Sequence, residues 1–136
     1  MPALLRIHKV RRTYPPKRIV TPRTDGSHSH LSAEFLGVPA GQLSDARLIG
    51  GLLIAAASAA GLGNAGMPSV RDQTDGGVSA ILLLDSGHIA VHSVPHRQLL
   101  LLDVIAPAAH DFRKVVDVLS RRLTAREVKT ATRTRG

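Results

Sequence analysis

Two apolar stretches joined by a short polar corner constrain this chain more than any other feature. Ala80-Ile81-Leu82-Leu83-Leu84 runs into Asp85-Ser86-Gly87, and His88-Ile89-Ala90-Val91-His92-Ser93-Val94 follows up to Pro95. Both stretches have strand length, and small polar residues with a glycine between them signal a tight reversal, so a β-hairpin is predicted. Strand side chains alternate, which puts His88, Ala90 and His92 on one face and Ile89 and Val91 on the other. A hydroxyl, a glycine and two same-face imidazoles are thus gathered in one short span.

The flanking sequence supplies the layer this hairpin needs. His30 to Gly37 reads as a first strand. Ser44 or Asp45 then offers a helix cap. From Ala46 to Leu62, the residues Leu48, Ile49, Leu52, Leu53, Ala56 and Ala60 recur at helical spacing. Gly50-Gly51 would weaken that helix in isolation, so packing against a sheet must hold it. The glycine-rich run from Gly61 to Gly66 follows a helix rather than a strand, which argues against a phosphate-binding loop. Met67 to Thr74 holds a short strand. Leu99 to Ile105 is another, polar at Asp103 and closed by Pro107. Asp111 can cap a helix from Phe112 to Leu123, whose stripe is Val115, Val116, Leu119 and Leu123. Arg126 to Thr132 adds an edge strand. This order predicts a two-layer α+β domain, an antiparallel sheet with helices on one face.

Charge divides the chain further. The net charge is +8, yet residues 28 to 112 hold only Arg47, Arg71 and Arg97 as basic residues. Seven others precede residue 28, among Pro15, Pro16 and Pro22, a composition that opposes packing. Three parts are therefore expected: a mobile basic arm over 1–27, a folded domain over 28–130 and a frayed tail over 131–136. The arm's charge would suit phosphate neutralisation on a nucleic acid, although only Tyr14 is there to stack on a base. There is no cysteine, so no disulfide framework and no thiol nucleophile. No secretory signal or membrane span is legible, and a cytoplasmic location is expected.

The hairpin resembles the processing-site hairpin of the bacterial S-adenosylmethionine decarboxylases, small pyruvoyl enzymes of spermidine synthesis. Those read roughly Gly-Val-Ser-Gly, a few apolar residues, then Glu-Ser-His-Ile-x-Ile-His-Thr-Trp-Pro-Glu. Here Gly77-Val78-Ser79-Ala80 and His88-Ile89-Ala90-Val91-His92-Ser93-Val94-Pro95 stand at the same spacing. His30-Leu31-Ser32-Ala33-Glu34-Phe35 is similar to the family's opening strand, and Leu102-Asp103-Val104-Ile105 to its later Val-Asp-Val-Phe. The resemblance implies a dimer pairing sheet on sheet in an αββα sandwich. It also implies a pyruvoyl group made from the serine before the first histidine, which acts as an electron sink for decarboxylation.

Several positions depart from that pattern. The serine that becomes the pyruvoyl group is Gly87 here, and the glutamate before it is Ser86. The family's later cysteine falls on Pro107, its His-Arg-Phe run on Arg71-Asp72-Gln73, and its tryptophan on Val94. Ser79, His88 and His92 match, and the resemblance implies that Ser79 and His92 assist self-processing. A one-residue shift at the corner would bring the Ser86 hydroxyl to the Asp85 carbonyl, at the cost of reversing the strand's faces unless a bulge absorbs the slip. Two functions stay open: a pyruvoyl-dependent decarboxylase of S-adenosylmethionine or a related amino acid, cleaved at Ser86, and a non-catalytic paralog that binds or regulates a decarboxylase. The assembly would be a homodimer, or a heterodimer with such a decarboxylase. A triad of Ser86 or Ser79 with His92 and Asp103 lacks a nucleophile-elbow pattern. His88, His92 and His96 are read as polar strand residues rather than metal ligands, since spacing by four suits a helix and not a strand.

Overall fold

Alternation of buried and more exposed positions along the central strands sets the architecture. The computed structural model describes residues 4–9, 26–63 and 66–136. The elements are β1 (Leu4–Lys9), β2 (His28–Leu36), α1 (Ala40–Leu43), α2 (Ala46–Ala59), β3 (Ser69–Asp72), β4 (Val78–Leu84), β5 (Gly87–Val94), β6 (Leu99–Pro107), α3 (Arg113–Arg122) and β7 (Glu127–Arg135). All strands join one antiparallel sheet in the order β1-β7-β2-β6-β5-β4-β3. This is the predicted α+β arrangement, with the helices on one sheet face.

The covered face follows from the alternation. Leu31, Ala33 and Phe35 of β2, Leu82 of β4, Ile89 and Val91 of β5, and Leu100, Leu102 and Val104 of β6 are all buried. Against them lie Ile49, Leu52, Leu53 and Ala56 of α2 and Val115, Val116 and Leu119 of α3. Asp45 caps α2, its side chain accepting from the Leu48 N–H at 3.0 Å. The double glycine has a partial explanation: a Cβ at Gly50 would lie 3.2 Å from Val70 Cγ2, so the bare backbone lets β3 approach the helix. Ser93 ties the layers together. Its buried hydroxyl accepts from the Val78 N–H at 2.8 Å and donates to the Leu43 carbonyl at 2.6 Å.

Four expectations about the chain ends and α2 need correction. The stretch beyond residue 131 is not frayed: β7 runs to Arg135, and its last residues pair with the start of β2, Arg135 opposite His28. Nor is β7 an edge strand, because β1 pairs along its other side from Leu4↔Thr132 to Lys9↔Glu127. Hydrogen bonding on both sides overrides the weak pattern of alternating threonine and arginine. Within the expected basic arm, residues 4–9 are therefore strand, while 1–3 and 10–25 lie outside the described residues. Helix α2 ends at Ala59, with Gly61 taking a positive φ of 69° just beyond it.

Candidate functional site

The sheet face away from the helices carries the titratable side chains. Its midpoint is Asp103 of β6, between β2 and β5. One carboxylate oxygen accepts from His30 Nε2 at 2.6 Å and the other from His88 Nε2 at 2.8 Å. Neither histidine sits directly across from Asp103: both pair in register with Ile105, so the bridge uses the diagonal same-face neighbours. Burial pushes the Asp103 pKa up, but the hydrogen bonds and positive ends of the two imidazoles outweigh it, and the carboxyl titrates below its usual value. His30 Nδ1 is buried with no partner among the described residues.

A second polar chain lies further along the same face. Ser79 of β4 pairs in register with His92 of β5, and its Oγ lies 2.7 Å from His92 Nδ1. The Gln73 side-chain amide donates to the same Oγ. Between the two groups is an open depression of about 380 Å³, lined by Glu34, Ala90, His92, Leu101, Asp103 and Lys129 among others.

The hairpin corner is separate from both. Leu84 pairs with Gly87, leaving Asp85 and Ser86 as a two-residue turn with exposed side chains. Ser79 is five strand positions from Leu84, about 17 Å at the usual rise, so the Ser79–His92 pair does not reach the Ser86 hydroxyl of its own chain. Gly87 is tightly enclosed: a Cβ there would lie 1.9 Å from the Ile105 carbonyl oxygen and 3.0 Å from the Ala106 Cα. Those are backbone atoms of β6, held in the middle of the sheet.

The model of the S-adenosylmethionine decarboxylase family matches residues 29–136. The chain belongs to that family. The fold is also similar to the crystal structure of the adenosylmethionine decarboxylase from Aquifex aeolicus VF5, with a TM-score of 0.73 and 23% identity over 83% of this chain and 93% of that one. No curated protein sequence matches.

For this member of the S-adenosylmethionine decarboxylase family, the resemblance puts the expected processing site at the corner. The family's pyruvoyl group does not fit at Gly87: the methyl of such a group would stand where serine has its Cβ, against the Ile105 carbonyl. Pro107, where the resemblance expects the family's cysteine, brings neither a thiol nor an N–H. The triad of Ser86 or Ser79 with His92 and Asp103, which the sequence already argued against, does not assemble, since Asp103 engages His30 and His88 while His92 lies against Ser79. The role of Asp103 as a bridge was the feature sequence reading missed. Its only trace there is a lone acid in an apolar strand, one strand away from histidines of the same parity.

This bridge makes a testable contribution to stability. Asp103→Asn is expected to cost about 1 kcal/mol at pH 7, the low end for a charge-assisted hydrogen bond because the side chain is 44% exposed. A folded pKa below the usual 3.8 means the contribution is complete above that value and is lost as pH falls through the lower one. Melting temperatures of the protein and the variant, followed from pH 7 to pH 3, should therefore converge below about pH 4.

Proposed function

We propose that this chain is a non-processing member of its family: a decarboxylase-fold protein of polyamine biosynthesis that makes no pyruvoyl group and acts as a binding or regulatory partner of a decarboxylase. The observation that carries this reading is the enclosure of Gly87 by the Ile105 carbonyl. The position lacks the hydroxyl for self-cleavage and has no room for one. The Ser86 hydroxyl stands in an exposed turn beyond the reach of Ser79 and His92 in the same chain.

The open sheet face supports the partner role. Ile81, Leu83 and Leu101 are exposed on it beside the polar bridges, a mixed surface that a second sheet could cover as in the αββα sandwich. The partner is either a second copy or a processed paralog, in the cytoplasm.

Two assays test this. The purified chain is expected to release no carbon dioxide from carboxyl-labelled S-adenosylmethionine. Mixed with an active decarboxylase of the same family and cell, it is expected to form a complex of defined mass in sedimentation and to change that enzyme's rate. Carbon dioxide release by the chain alone, or no complex and no change of rate, would sink the proposal.

A further inference from the structure

Charge is unevenly distributed over the open sheet face. Strand parity and register put Arg71 of β3 and Lys129, Arg133 and Arg135 of β7 on it. The acids that β2 to β7 add to the same face are Glu34, Asp103 and Glu127. Each of these acids has a neighbour of its own. Both Asp103 oxygens accept from histidines, His30 and His88. Glu34 stands opposite Lys129 in the β2–β7 register, and Glu127 opposite Lys9 in the β1–β7 register. Arg71, Arg133 and Arg135 have no such counterpart. They are exposed and form no ion pair among the described residues.

The placement of these arginines is that of a protein interface. Their strands, β3 and β7, are five strand spacings apart, about 24 Å. Between them lie the exposed apolar side chains Ile81 and Leu83 of β4 and Leu101 of β6. An apolar centre with a polar rim is how folded chains meet, and arginine is enriched there. We infer that the open face takes a second sheet with carboxylates opposite Arg71, Arg133 and Arg135, and therefore a different chain rather than a second copy. This rests on the partner role proposed above and gives that partner its chemistry. Two copies face to face would bring together both sets of arginines with no unclaimed acid for either. An arginine withdrawn from water without a partner is strongly destabilising, whereas a carboxylate facing it forms a two-pronged, charge-assisted pair. The same charges that attract the acidic sheet repel the wrong one.

Sedimentation velocity of the full-length protein tests this. Alone, at micromolar concentration, the chain should run as a single species near 14.4 kDa. With the active decarboxylase of the same family and cell it should form a complex. Arg133→Glu/Arg135→Glu should raise the Kd of that complex at least about 10-fold. Arg121→Glu/Arg122→Glu, an equal reversal of charge on α3 behind the sheet, should leave it unchanged. Arg133→Gln/Arg135→Gln adds no acid to β7 and should give a smaller loss in the same direction, with melting curves confirming that each variant is folded. A stable dimer of the chain alone overturns the inference. So does a complex that both reversals weaken equally, which would show net charge alone at work, or one that neither weakens. Failure to form either a complex or a dimer overturns the partner role itself, and the inference with it.

Discussion

Replacing Gly87 with serine, the change that would restore the hydroxyl of the processing site, is expected to destabilise the protein by about 3 kcal/mol without producing cleavage. The reason is local and steric. The new Cβ would stand 1.9 Å from the Ile105 carbonyl oxygen, and the obstacle is strand backbone rather than the end of a flexible side chain. Relief requires β6 to move away from β5, breaking ladder bonds beside Asp103. A loss near 3 kcal/mol lowers the melting temperature of a domain this size by about 10 °C. Thermal unfolding followed by circular dichroism, with a denaturing gel of the same sample, reads both outcomes. A Gly87→Ser protein that melts like the parent and appears as two fragments would show that the enclosure does not bar processing.

Ser93→Ala should cost about as much by a different route. The serine hydroxyl is at once acceptor for Val78 and donor to Leu43, and the residue is only 1% exposed. Removing it leaves a buried N–H and a buried carbonyl without those partners, each worth about 1–3 kcal/mol. The expected total is about 3 kcal/mol, seen as a lower urea midpoint with unchanged slope. Ser93→Thr keeps the hydroxyl and should recover much of the loss. If Ser93→Ala unfolds at the same urea concentration as the parent, the serine does not pin the hairpin to α1.

These two residues show what the sequence disclosed and what it hid. The hairpin, the apolar stripes of α2 and α3 and the polarity of the open face were legible because each depends on local periodicity. The hydroxyl of Ser93 gave no such signal, because its partners come from β4 and from the end of α1. The crowding at Gly87 is likewise set by a strand that arrives eighteen positions later, so the sequence marked only a missing hydroxyl. β7 was read too short and placed at the edge because its threonines and arginines carry no apolar pattern. Its true position depends on pairing with both β1 and β2. Within the site, Ser79 and His92 were named together only through the family resemblance, and the strand register sets them opposite one another, whereas His30 and His88 are joined to Asp103 only by the diagonal geometry of three adjacent strands.

The central claim concerns covalent integrity, and intact-mass spectrometry of the purified, denatured chain addresses it most directly. A single species near 14.4 kDa is the predicted result, since an uncut chain carries no pyruvoyl group. Two fragments meeting between Asp85 and Ser86, the second blocked at its N-terminus by a pyruvoyl group, would contradict the account and return the protein to the catalytic members of its family.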